Sequence, residues 1–162
     1  RDKDAISATA ALCEAAAYYK EKNMTLWDAM VGMYEKYGYY KDEVKSIGLK
    51  GIEGLAKIQE IMEHFRTDAP AEFGGFKVVS ARDYKADTIK DIESGEVKPT
   101  GLPSSNVLYY DLEDNAWLCV RPSGTEPKIK FYYGIKGASL EDAAKKSEKL
   151  GEAVMAEVNK LF

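Results

Sequence analysis

The sequence predicts an α+β fold: an antiparallel sheet of about four to five strands with two helices on one face, preceded by two further helices. Three observations carry this. Apolar residues recur at three- and four-residue steps in four separate stretches, the mark of helices with one buried face. Between the third and fourth of these stretches the pattern changes to short β-rich runs separated by turn residues. Finally, Lys128 to Ile135 alternates cleanly, with Ile129, Phe131, Tyr133 and Ile135 on one side and Lys128, Lys130 and Tyr132 on the other. A strand of that kind has one dry face and one wet face. From Tyr39 onward the order is β-α-β-loop-β-β-β-α, which closes as a two-layer sandwich.

Residues 4 to 22 form the first predicted helix, with Asp4 as its cap and Ile6, Leu12, Cys13, Ala16 and Tyr19 on its apolar stripe. The second runs from Leu26 to Tyr37. Thr25 and Asp28 make a capping-box pair before it, with Asp in place of the usual Glu or Gln, and Gly38 ends it. Tyr39 to Leu49 reads as extended. Gly51 opens a third helix to about Arg66, whose face is Ile52, Leu55, Ile58, Ile61, Met62 and Phe65. Residues 67 to 75 read as a connector and 86 to 103 as a long polar loop. Strands are expected at Phe76 to Ala81, Asn106 to Leu112 and Ala116 to Val120, the last two joined by a Glu113-Asp114-Asn115 turn. The last helix runs from Leu140 to about Leu161, capped by Ser139 with Asp142 three residues on. Trp27 and Trp117 read as core anchors, and each tyrosine pair, Tyr132-Tyr133 among them, as one core ring and one rim ring.

Composition bounds the chemistry. A chain of 162 residues, 45% apolar and 31% charged, can bury about 70% of its unfolded surface, enough for one core plus an appendage. The formal charge of −4 disfavours a general nucleic-acid binder. No stretch approaches the roughly 20 apolar residues of a membrane helix, and no signal segment opens the chain. Its first residue is Arg1 and not Met, the first hint of an excised or processed piece. The single histidine, His64, excludes multi-histidine metal sites. Cys13 and Cys119 are far apart in apolar surroundings and read as buried free thiols of a reducing, cytoplasmic setting. Asp111, Glu113 and Asp114 surround a turn and read as solvated, as do Asp87, Asp91 and Glu93 in their loop.

One segment gathers the groups an oxyanion needs: Arg121-Pro122-Ser123-Gly124-Thr125-Glu126-Pro127-Lys128. Arg121 supplies a planar fork matched to phosphate. Ser123 and Thr125 supply hydroxyl donors. Gly124 lets successive N–H groups curl around an anion. The two prolines stiffen the ends, and Lys130, on the wet face, adds positive potential.

This segment, with its Ile129-Lys130-Phe131-Tyr132 continuation, closely resembles the phosphate-binding loop in the C-terminal domain of the α-D-phosphohexomutases, and its K-I-K-F-Y run is most like the phosphoglucomutase branch. The first eight residues, Arg1 to Ala8, resemble the family's segment just after its sugar-recognition loop. The resemblance implies that residues 1–38 are the helical tail of a third domain and 39–162 a fourth, phosphate-binding domain. It implies that Arg121, Ser123, Gly124, Thr125 and Lys130 bind the non-reacting phosphate of a phosphosugar. It also implies a parent enzyme that interconverts hexose 1-phosphate and hexose 6-phosphate, using Mg²⁺ and a hexose 1,6-bisphosphate intermediate. The family's T-A-S-H-N-P serine loop, D-G-D-x-D-R metal loop and G-E-E-S-G sugar loop have no counterpart here. The expectation is therefore a fragment with no catalytic and no metal-ligating residue, whose partners are the phosphosugar and the remaining domains of the same enzyme. Its first helix, left without a sheet, is expected to dock back on the fourth domain, to fray, or to pair with a second copy through residues 5–19, pairing being preferred for its alanine-rich face. The competing readings are a stand-alone phosphosugar-binding module and a nucleic-acid-binding α+β domain.

Overall fold

The computed structural model describes residues 3–162, so Arg1 and Asp2 of the opening resemblance lie outside the described residues. Its contacts divide the chain into two units, Arg1–Tyr39 and Tyr40–Phe162.

The first unit holds α1 (Ala5–Glu21) and α2 (Leu26–Tyr37). Both start where local chemistry dictates. The Asp4 carboxylate accepts from the Ser7 N–H at 2.9 Å and the Ser7 hydroxyl at 2.8 Å, which hold it below the usual carboxylate range. Thr25 and Asp28 close a reciprocal box: the Asp28 N–H donates to Thr25 Oγ1 at 3.1 Å, and the Thr25 N–H to the Asp28 carboxylate at 2.8 Å. Gly38, at φ 111°, ends α2 in a conformation few other residues adopt. The packing expected of this unit does not appear. No residue of α1 is buried, Cys13 is exposed, and Trp27 is 61% exposed, so neither is a core residue. Two short helices have too little surface to enclose a core.

The second unit begins within β1 (Tyr39–Gly48) and continues through α3 (Gly51–Thr67), β2 (Glu72–Phe73), β3 (Phe76–Asp83), β4 (Thr88–Asp91), β5 (Val97–Lys98), β6 (Leu108–Leu112), β7 (Trp117–Pro122), β8 (Lys128–Gly137) and α4 (Leu140–Asn159). The strands form one sheet in the order β1-β8-β7-β6-β3-β4-β5, with β2 paired to β3 beside that path. The α+β class holds, but the sheet has eight strands, not four or five. The additional ones, β2, β4 and β5, lie in the segments expected to be connector and loop. They are two to four residues long and nearly without apolar pattern. Pairing with β3 makes them strands, as Ser80 to Asp83 align with Asp91 to Thr88. Such pairing is set by tertiary context and not by local propensity.

The core lies between the inner face of the sheet and the two helices. Leu118, Val120, Ile129, Phe131 and Ile135 from the sheet meet Ile61, Met62 and Phe65 of α3 and Leu150, Val154 and Val158 of α4. Phe65 stacks on Phe73 at 6.1 Å and meets Phe131 at 5.6 Å, and the Tyr110 hydroxyl donates to its carbonyl. Each such ring or branched chain contributes about 1.5–3 kcal/mol by leaving water. The first turn of α3 departs from the expected stripe: Ile52 is 87% and Leu55 52% exposed, because the packed face begins at Ile58.

Tyr133 is fully buried yet reaches the Glu43 carboxylate with its hydroxyl at 3.2 Å. Burial first, and the Glu43 charge second, push its phenol up to about 12. The ring passes under α4 at Gly151, where a Cβ would stand 2.4 Å from the Tyr133 hydroxyl oxygen. Gly151→Ala is therefore expected to lower stability by about 1–3 kcal/mol, as overpacking does. The Tyr133→Phe background should recover part of that loss in denaturant unfolding. Equal losses in both backgrounds would show that the hydroxyl is not the obstacle.

Candidate functional site

The register of β7 against β8 builds the site. Val120 pairs with Phe131, Arg121 with Lys130 and Pro122 with Ile129. Since Val120, Ile129 and Phe131 are fully buried, strand alternation sends Arg121 and Lys130 to the open face, side by side at the end of the sheet. Beyond them the chain turns through Ser123 to Pro127. The Ser123 N–H donates to the Lys128 carbonyl at 2.8 Å and closes the base of the loop. Ser123 Oγ accepts from the N–H groups of Thr125 at 3.4 Å and Glu126 at 3.3 Å. With its lone pairs facing those two donors, the hydroxyl proton is left to point outward, so the side chain offers a donor to whatever approaches. On its outer side the loop is tied down where the Leu49 N–H donates to the Pro127 carbonyl at 2.9 Å.

The charges are arranged unusually. Like charges directly opposite each other on neighbouring strands are destabilising, yet Arg121 and Lys130 are Cα partners. The described residues offer them no carboxylate. The loop's one acid, Glu126, is held by Lys128 at 3.2 Å. By contrast, Arg66 is paired with Asp83 at 2.8 Å and Arg82 with Asp111 at 2.7 Å. Arg121 and Lys130 share a small pocket of about 110 Å³ with Pro122, Ser123 and Tyr132.

Of the expected site residues, the structure thus brings Arg121, Ser123 and Lys130 together around one concavity. Gly124 and Thr125 do not line it. Thr125 contributes its N–H to the Ser123 turn. Gly124 is not in the left-handed region, and a Cβ there would meet nothing within 4 Å, so the backbone does not demand glycine; its effect is to leave the loop's outer side clear. Tyr132 lines the pocket and was not among the expected site residues. The signal for it was present, since it follows Lys130 at the strand period of two.

Other candidates carry less. A groove of about 540 Å³ runs between β1 and α4, but it is lined by both signs of charge, with Lys41 on Glu43 at 2.9 Å and Lys145 on Glu141 at 2.6 Å. Nε2 of His64 is buried without a hydrogen bond and lies 3.6 Å from Glu157. Asp111 is occupied by Arg82 and Ser80. Among the described residues, no group of three or more His, Cys, Asp or Glu could hold a metal ion, and no helix is long and apolar enough to cross a membrane. Cys119 is half-buried, and burial raises its thiol against the opposing pull of Arg121.

An unpaired like-charge couple costs stability, so removing one member should raise it. Lys130→Gln is expected to stabilise the chain by about 0.2–1 kcal/mol at low salt, with the gain shrinking as salt screens the repulsion. Thermal unfolding of the variant at two ionic strengths is the check, and a destabilised Lys130→Gln at both would remove the repulsion argument.

Comparison with known proteins bears on this geometry. The model of the "Phosphoglucomutase/phosphomannomutase, C-terminal domain" family matches residues 55–150, more than half of the chain and including the whole loop. Phosphoglucomutases of Staphylococcus aureus strains MRSA252 and USA300 are each 36% identical over 146 residues, covering 90% of this chain and 26% of their own. The chain therefore spans about a quarter of the length of these relatives. The crystal structure of the open form of pp63/parafusin, a phosphoglucomutase from Paramecium, matches 99% of this chain and 28% of its own, with a TM-score of 0.55 and 16% identity, a likeness of fold alone. With the family matched over that span and the relatives aligned along nearly the whole chain, the protein belongs to the phosphoglucomutase/phosphomannomutase family as its C-terminal domain.

Proposed function

We propose that this chain is the phosphate-holding part of a phosphohexomutase and that Arg121, Ser123, Gly124, Thr125 and Lys130 form its cradle. The observation that carries the reading is the couple of Arg121 and Lys130, held face to face with no carboxylate between them beside a hydroxyl set to donate. A phosphate oxygen supplies the missing countercharge. Arg121 grips two of its oxygens as a fork, Lys130 adds a point charge, and Ser123 donates a third bond. Gly124 leaves the approach open, and Thr125 braces the turn through its N–H to Ser123 Oγ.

In the parent enzyme the cradle holds the phosphate that is not reacting, while the other end of the hexose faces a phosphoserine. Phosphoryl transfer depends mainly on positioning and electrostatics, and binding energy from a remote phosphate serves the reacting end. Interconversion of hexose 1-phosphate and hexose 6-phosphate through a 1,6-bisphosphate requires the same cradle to accept either phosphate in turn. Mg²⁺ would neutralise the transferring group from residues of the enzyme's other domains, while this chain's part is to hold the phosphate. Its place in the cell is the cytoplasm, where phosphosugars are handled, and its partners are the phosphosugar and the enzyme's other domains.

The purified chain is expected to show no turnover of glucose 1-phosphate in a coupled assay, and turnover above a mock preparation would refute the division of labour. In NMR titrations with inorganic phosphate, amides of 121–130 should move. Arg121→Lys, which keeps the charge and loses the fork, should weaken binding by about 1–3 kcal/mol. Shifts confined to residues outside 121–130 would place the anion elsewhere.

A further inference from the structure

The neighbouring tyrosines of β8 are divided between the two faces of the sheet. Tyr133 is fully buried and donates to Glu43. Tyr132 is half-buried on the open face, opposite Cys119 of β7 and one strand period beyond Lys130. Together with Arg121, Pro122, Ser123 and Lys130 it lines the 110 Å³ pocket, and the Lys130 ammonium lies 6.0 Å from its ring centre. The hydroxyls of Tyr110 and Tyr133 each meet a protein oxygen. That of Tyr132 meets none among the described residues. Two of the pocket's other linings are cations, one is the Ser123 donor, and Pro122 has no N–H to give. A phenol without a protein partner on a residue that lines such a pocket is a neutral donor available to whatever the cations attract.

Resting on the reading of this pocket as a phosphate cradle, we propose that Tyr132 is a further binding residue of it, donating its hydroxyl to a phosphate oxygen while its ring forms the wall on the sheet side. A donor of this kind adds no charge, so it strengthens the hold on the anion without adding to the repulsion between Arg121 and Lys130. The ring also limits the cradle on that side, so a phosphate ester enters with its phosphate foremost and its carbon skeleton outward.

The test is an NMR titration of the whole chain, wild type and Tyr132→Phe, with inorganic phosphate and with glucose 6-phosphate, following loop amides and the ring protons of Tyr132. In the wild type the ring protons beside the hydroxyl should move together with amides 121–130. Tyr132→Phe should unfold at the same midpoint and bind both anions about 10- to 150-fold more weakly, the loss expected of one hydrogen bond to a charged group. Equal affinity in wild type and Tyr132→Phe, with the loop amides moving in both, overturns the role of Tyr132 and leaves the cradle standing. Binding in which the loop amides stay still overturns the cradle, and this role with it.

Discussion

The structure depends on one constraint: β7 and β8 each bury one face completely, and the period of a strand is two. Leu118 and Val120 on one strand and Ile129, Phe131, Tyr133 and Ile135 on the other are at or near zero exposure. A slip of one residue would carry that whole set into water. The register is therefore fixed by the core, at a cost of several buried side chains for any alternative. Arg121 and Lys130 are held opposite each other as a by-product, against their own repulsion. A hydrophobic requirement on one face of the sheet thus enforces an electrostatic arrangement on the other, and the loop that joins the two strands inherits its position.

Around this pair the molecule shows what it does with charges that are not needed elsewhere. Arg66 and Arg82 meet Asp83 and Asp111, and Glu126 is held by Lys128. Along the groove between β1 and α4, Lys41 pairs with Glu43 and Lys145 with Glu141. Against that background two uncompensated cations at the end of a sheet, beside a hydroxyl whose acceptor side is occupied, form a local excess with a direction. The family relationship gives that excess a setting, and the geometry gives it a reason independent of the relationship.

The legible parts of the fold were those decided within a few residues. The caps at Asp4, at Thr25 with Asp28, and at Ser139 depend on neighbours three positions away and stand as read. Lys128 to Ile135 announced its faces by alternation, which also placed Lys130 outward. What could not be read was anything decided by distant partners. The segment Thr88 to Asp91 has a single isoleucine and becomes a strand only because β3 offers it an edge. Periodicity showed which sides of α1, α2 and α3 are apolar, but not whether anything covers them, so Cys13, Trp27, Ile52 and Leu55 were assigned to interiors they do not occupy. In the loop, residue types were visible and the strand period already put Tyr132 on the face of Lys130, while the occupation of Ser123 Oγ by two backbone donors required the turn to be seen.

The ties that hold the loop also bear on how fast an anion can be captured. Ser123 to Pro127 is closed at its base by the Ser123–Lys128 bond, braced inside by Ser123 Oγ, and anchored outside to Leu49. A segment already in this shape has little left to organise, so on the proposed function the step that limits association with a phosphate is diffusion into the field of Arg121 and Lys130, not closure of the chain around it. Capture of that kind is quick, slows as dissolved ions screen the field, and leaves differences in affinity among related ligands to the rate of escape. On the proposed function, an intermediate that presents first one phosphate and then the other meets a socket that is open and ready at each encounter, which shortens the interval in which the sugar can diffuse away.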